Sequence, residues 1–216
     1  MPTINFKAKL ITDSLDLQIK REIRERLRDN WKKKSNAITS RAAEIYFEHI
    51  KDHPTYTALE NESRFIGQMG VTEGMLASFM ADLESRLKQL FQVEFVGHAG
   101  GNDLGGLRAY IESYQEYVYE LDMAGYTSTN KKDESTYVPW LRWLLSQGTK
   151  DVVFEYHFVP TNSKESRTGF GLMVPGGSFA VDPRYAGTYN DNWFTQAADT
   201  ARPEIMQFML EKLEEL

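Results

Sequence analysis

Val152-Val153-Phe154-Glu155-Tyr156-His157-Phe158-Val159 is the most strand-like stretch of the chain, dense in β-branched and aromatic residues. Two shorter strands are expected after it, Gly171 to Val174 and Ser178 to Val181, with Pro175-Gly176-Gly177 between them as a hairpin signal. The intervening polar segment, Pro160 to Thr168, follows a strand and reads as an exposed loop. Upstream, Pro139 stands at a helix start, and Trp140 to Leu145 form a short, very apolar helix stopped by Gly148. Downstream, Thr195 to Leu216 reads as a closing helix whose last turns are acidic.

Nearer the N-terminus, Val93 to Val96 looks like a strand entering a glycine-rich loop, Gly97 to Gly106. Leu107, Ala109 and Ile111 then alternate as a strand would. Met75 to Leu90 is expected to be a helix, with Leu76, Phe79, Met80, Leu83, Leu87 and Leu90 at core spacing. Thr55 to Gly74 reads as turn-rich. Leu15, Ile19, Ile23, Leu27 and Trp31 recur every four residues on a strongly charged helix. A second helix is expected from Asn36 to Lys51, ended by Pro54, so that the two form a helical hairpin. The expected class is α+β: a small antiparallel sheet packed by helices, with an N-terminal helical hairpin and a C-terminal helix. Residues 1–60 read as a helical arm and 61–216 as the α+β body.

The 216 residues contain no cysteine, which removes disulfides, thiolate metal sites and a cysteine nucleophile together. A reducing cytosol is the natural compartment. No apolar run reaches the roughly 18 residues of a membrane span, and the first residues lack the layout of a signal peptide. The net charge of -6 is unevenly spread. Lys20 to Lys34 holds eight basic and three acidic residues, leaving -11 on the remainder. An acidic body repels nucleic acid, whereas a basic helix on it suits the acidic face of a neighbouring copy.

The chemistry-bearing residues form no familiar catalytic pattern. His49 and His53, with Asp52 beside them, have helical spacing for a metal, but no Glu follows the first His and Pro54 interrupts the turn. A surface pair at a helix C-terminus is the plainer reading. Gly101 to Gly106 has the glycine spacing of a phosphate loop, yet Leu107-Arg108 follows where Lys and Ser or Thr are required. No Gly-x-Ser-x-Gly elbow occurs, and His98 and His157 have no evident serine partner. No carboxylate pair stands out among the many acids. The basic helix could grip phosphates, but the interleaved Glu22, Glu25 and Asp29 suit pairing along a solvated helix. Tyr110, Tyr114, Tyr117 and Tyr119 fit either a core or an interface.

The last third is the most distinctive. It runs Val138-Pro139-Trp140-Leu141-Arg142-Trp143-Leu144-Leu145-Ser146-Gln147-Gly148, then Ser166-Arg167-Thr168-Gly169-Phe170-Gly171-Leu172-Met173, then Val181-Asp182-Pro183-Arg184-Tyr185-Ala186-Gly187-Thr188, then Asn192-Trp193-Phe194-Thr195-Gln196-Ala197. This order resembles the neck or tail-completion proteins of long-tailed bacteriophages over about Trp140 to Ala197. The match is only in outline over Phe65 to Val96 and weak over the first sixty residues.

The resemblance implies that 61–216 is a tail-completion-like domain and that the protein is a structural part of the virion, made in the host bacterial cytoplasm. It implies a ring, commonly sixfold, at the head–tail junction, with DNA only as passing cargo. Neighbouring neck, connector, tail-tube or sheath proteins would be its partners; no catalysis, cofactor or metal is expected. A tail-completion or terminator ring is the preferred form and a head-side closure or adaptor ring the alternative. The alternative from another class is a DNA-binding packaging or regulatory factor using the basic helix.

On this reading Pro139, Trp140, Trp143, Gly148, Gly187, Thr188, Asn192 and Trp193 are scaffold, with Asp191 or Asn192 capping the last helix. Gly169 and Gly171 permit close backbone approach. Lys164, Glu165, Ser166, Arg167 and Gly169, with Arg24, Arg28 and Trp31 on the basic helix, are the candidate contacts to other subunits. The Arg167 fork suits a carboxylate, either on a neighbouring subunit or ring, or within its own loop at Glu165.

Overall fold

A computed structural model describes residues 5–9, 17–97, 104–111, 124–129 and 135–216. Tyr114, Tyr117, Tyr119, His98 and most of the expected Gly97–Gly106 loop lie outside the described residues. The class is α+β. Its elements are β1 (Asn5–Lys9), α1 (Leu17–Asp52), α2 (Pro54–Asn61), α3 (Ser63–Met69), α4 (Glu73–Leu90), β2 (Phe91–Val96), β3 (Gly106–Ile111), β4 (Tyr126–Thr129), β5 (Ser135–Val138), α5 (Trp140–Ser146), β6 (Asp151–Pro160), β7 (Gly171–Ala180) and α6 (Trp193–Glu214). Among the described residues no helix is long and apolar enough to cross a membrane.

The N-terminal hairpin is not formed. Residues 17–52 make one continuous helix, because Lys32-Lys33-Lys34-Ser35-Asn36 is polar but holds no glycine or proline to break it. Nor do the compact units follow a division at residue 60. One unit comprises Met1–His49, Glu84–Ser113 and Ala198–Leu216, and the other Ile50–Leu83 and Tyr114–Ala197.

In the first unit, β3 is the middle strand of an antiparallel sheet ordered β1-β3-β2. Leu107, Ala109 and Ile111 are buried, as the alternation requires. Tyr46 of α1 meets Phe91 at 6.4 Å between ring centroids. Asn30 and Lys34 donate to the last carbonyls of the chain, Leu216 and Glu215, and His49 Nε2 lies 3.0 Å from Glu204 Oε2. These contacts fix the C-terminal half of α6 along α1.

The buried line of α1 is not the fourfold series. A step of four residues overshoots a turn by about 40°, so Ile23 and Ile19 rotate about 80° and 120° away from Trp31. Ile19 is accordingly 49% exposed. Lys20 and Arg24 fall within about 20° of the Trp31 direction and are only 4% and 5% exposed.

In the second unit, the stretch expected to be turn-rich holds two short helices. Pro54 ends α1 and also begins α2, where the missing N–H of the first turn costs nothing. His53 caps it, Nδ1 accepting from Thr55 N at 3.2 Å. Phe79 packs edge-on against Trp140 at 5.3 Å, and Phe65 lies 4.3 Å from Tyr185.

The expected hairpin at Pro175-Gly176-Gly177 is also absent. Residues 171–180 form one strand paired antiparallel with β6, and the polar segment before it makes the reversal. The ladder breaks in the middle. Phe154 pairs with Ser178 but Tyr156 with Pro175, so Glu155 on one side and Gly176 and Gly177 on the other are extra. All three have positive φ, 67° at Glu155. The glycines serve this bulge, not a turn. Phe154 stands 71% exposed beside it.

Candidate functional site

The segment Ser163–Gly171 joins β6 to β7 and is held by its own side chains. Ser163 Oγ accepts from Glu165 N, Ser166 Oγ from Gly171 N at 3.2 Å, and Thr168 Oγ1 from Phe170 N. Gly169 has φ of 81° with open space around its Cα, so it serves the turn and not a close approach. Gly171 does serve a close approach: a Cβ there would strike the Phe158 ring. Lys164 and Glu165 are exposed at the tip.

Arg167 is the arm of this segment. Its Nε and Nη2 both donate to the Gly70 carbonyl, at 3.1 and 2.8 Å, and its guanidinium lies over the Tyr126 ring. Gly70 ends α3 in the left-handed region, where only a glycine leaves room for the Tyr126 hydroxyl. That hydroxyl donates to Met69 O at 3.2 Å. Burial raises the Tyr126 pKa, and the Arg167 cation opposes the rise. Within the chain Arg167 thus meets a carbonyl and a ring and not Glu165, and neither partner is signalled near Arg167 in sequence.

The scaffold residues interlock. Asn192 is the cap of α6: its Oδ1 accepts from Phe194 N and Thr195 N, and its Nδ2 donates to the carbonyls of Thr188 and Leu145. Thr195 Oγ1 answers by accepting from Asn192 N at 2.8 Å. Gly187 N donates to Leu144 O and Gly148 N to Gly187 O. Thr188 N donates to Asp191 O. Trp140 donates to Ala124 O, Trp193 to Ile50 O, and Pro139 O accepts from Trp143 N. Trp143 also faces Phe179 of β7 at 6.2 Å between centroids. Residues from three separate stretches thus build one base beside the β6–β7 ribbon.

A second ionic cluster lacked any sequence signal. Arg184 bridges Asp182 and Glu62, and Tyr185 donates to Glu62 at 2.5 Å. The Arg184 hydrogen bonds hold the Asp182 carboxyl below its ordinary range.

The basic-helix candidates separate. Arg28 is exposed, but Arg24 and Trp31 face the protein's own interior, a correction that follows from the wheel geometry of α1. Arg26 pairs with Glu22 at 2.8 Å and Lys32 with Asp29 at 3.1 Å. His49 and His53 have different partners, Glu204 and Gln196. Among the described residues no group of three metal-ligating side chains is assembled. Comparison of the chain with protein-family models, curated proteins and solved structures returned no match.

Proposed function

We propose that the protein is a structural component of the virion of a long-tailed bacteriophage, acting by assembly and not by catalysis. It forms a ring at the head–tail junction, in the neck, as a tail-completion or terminator protein. The ring joins the tail to the head connector and lets DNA pass. A head-side closure or adaptor ring is the alternative within the class.

The observation that carries this reading is the use made of the motif residues. Pro139, Trp140, Trp143, Gly148, Gly187, Thr188, Asn192 and Trp193 engage backbone and packing partners, not one another's reactive groups. The base they form lies beside a two-stranded ribbon that exposes Phe154, Tyr156 and Met173. Exposed apolar side chains on a rigid base suit protein contact.

DNA binding by the basic helix is the weaker reading. Of its eight basic residues, Lys20 and Arg24 are buried, Arg26 and Lys32 have acidic partners, and Lys34 donates to Glu215 O. Arg26, Lys32 and Lys34 are exposed but engaged in these contacts, and Arg21, Arg28 and Lys33 are exposed outside them, a thin set of phosphate contacts.

Cryo-electron microscopy of the virions whose genome encodes the chain tests the proposal. Density for the chain in a symmetric ring between portal and tail tube is expected. Complete virions that lack the chain would overturn it, and salt-dependent DNA binding would then be measured.

A further inference from the structure

The three-stranded sheet of the first unit has two faces of opposite character. Its register sets Asn5, Lys7 and Lys9 of β1 opposite Tyr110, Arg108 and Gly106 of β3, and these opposite Gln92, Glu94 and Val96 of β2. Paired positions fall on the same side of the pleat, so these nine share one face. The other face belongs to the core, where Phe91, Val93, Leu107, Ala109 and Ile111 are buried. On the nine-residue face Gln92, Glu94, Arg108 and Tyr110 are only partly covered, and the Arg108 and Glu94 side chains are 36% and 43% exposed.

The composition of this face is one-sided. Six of its nine positions carry side-chain N–H or O–H donors, three of them cations, and only Glu94 is acidic. Arg108 lies 3.5 Å from Glu94 and stands over the Tyr110 ring at 5.3 Å. That pair offsets itself, and Lys7 and Lys9 leave the face with a net charge of +2. Lysine, arginine, asparagine, glutamine and tyrosine are the side chains that hold phosphate oxygens along a nucleic-acid backbone. The unit that carries the sheet has 16 basic and 16 acidic residues, so the acidic excess of the protein belongs to the other unit.

We propose that the Lys7–Lys9–Arg108 face of the β1-β3-β2 sheet binds the phosphate backbone of double-stranded DNA without sequence preference. The inference rests on the ring reading for the DNA that it meets, and deepens it by naming the surface past which that DNA slides. A contact made of few charges is weak and mobile, as passage requires. Its test is made in solution, so its failure is distinct from absence of the chain from the virion.

The full-length protein is titrated into a fluorescently labelled DNA duplex of random sequence, and anisotropy is followed at several salt concentrations. Weak binding at low salt is expected, with a log–log salt slope of about −2 to −3, the value for about three phosphate contacts. Lys7→Gln with Lys9→Gln should bring the slope close to about −1 and weaken low-salt binding about tenfold. Glu94→Gln removes the one repelling charge and should tighten binding about three-fold. A helix variant, Arg21→Gln with Arg28→Gln and Lys33→Gln, should bind as the wild type does. Circular dichroism confirms that the variants stay folded, and Glu94→Gln carries the test if the lysine variant does not. Wild-type protein that fails to bind at low salt overturns the proposal. So does binding that neither sheet variant alters, or that the helix variant abolishes.

Discussion

The guanidinium of Arg167 rests 3.2 Å from the centroid of the Tyr126 ring while two of its nitrogens share the Gly70 carbonyl. One side chain thus pins the β6–β7 connection to the end of α3. Arg167→Ala should lower stability by about 1–2 kcal/mol through loss of the cation–π contact and the hydrogen bonds. Arg167→Lys should recover under half of that, since an ammonium cannot place two donors on one carbonyl and stack flat. Urea unfolding of the three proteins measures both values, and equal stability of the wild type and the alanine variant would contradict the role.

Asn192 carries both halves of a helix cap, with acceptor and donor atoms engaged at 2% exposure. Asn192→Ala leaves backbone groups of α6 and of the Thr188 turn unsatisfied, costing about 2–3 kcal/mol. Asn192→Asp keeps the acceptor and loses the donor, so its cost should lie between wild type and alanine. Thermal unfolding at one pH ranks the three.

At Gly187 the constraint is space. A Cβ would come within 2.5 Å of the Asn192 Cβ and 2.6 Å of the Leu144 carbonyl oxygen. Gly187→Ala should cost about 1–3 kcal/mol by overpacking, whereas Gly74→Ala, where nothing lies within 4 Å, should be neutral or better. A reversed order in denaturant midpoints would refute the packing argument.

His53 gives stability a dependence on pH. Burial lowers its pKa, with the Gln196 hydrogen bond opposing, and its Nδ1 must stay unprotonated to cap α2. The unfolded chain therefore takes up the proton first. The stabilisation is full above the ordinary histidine range, about pH 6.5, and is lost as pH falls through the lower folded value. His53→Asn keeps a capping acceptor that does not titrate, so its stability should fall less steeply between about pH 7 and 5. Parallel curves for the two proteins over that interval would exclude His53 as the source.

Elements whose side-chain period matched their backbone period were legible in sequence. Leu76 to Leu90 marked α4, and Leu107, Ala109 and Ile111 marked β3. Pro139 and Gly148 bounded α5 as expected. Errors arose where one residue type serves two ends. Pro54 both stops and starts a helix, and Gly176-Gly177 fits a bulge as well as a turn. The fourfold apolar series on α1 looked like a core stripe, but its drift against 3.6 residues per turn carried Ile19 outward and Lys20 inward. At the candidate site, Arg167 was visible as an exposed fork, yet its acceptor lies 97 residues away in sequence. A backbone carbonyl leaves no mark in a sequence, and Gly70 shows only that a helix ends there.

The break at Glu155 has a consequence for how the ribbon can be approached. A straight two-stranded ribbon offers two open rows of backbone donors and acceptors, on which any extended chain can be templated. Here the ladder is dislocated at its centre, and Pro175 opposite Tyr156 has no N–H to offer. Strand addition across the centre is blocked, so fibrillar stacking of newly made copies is disfavoured. What the ribbon still offers to a partner is its side chains, and through them selectivity.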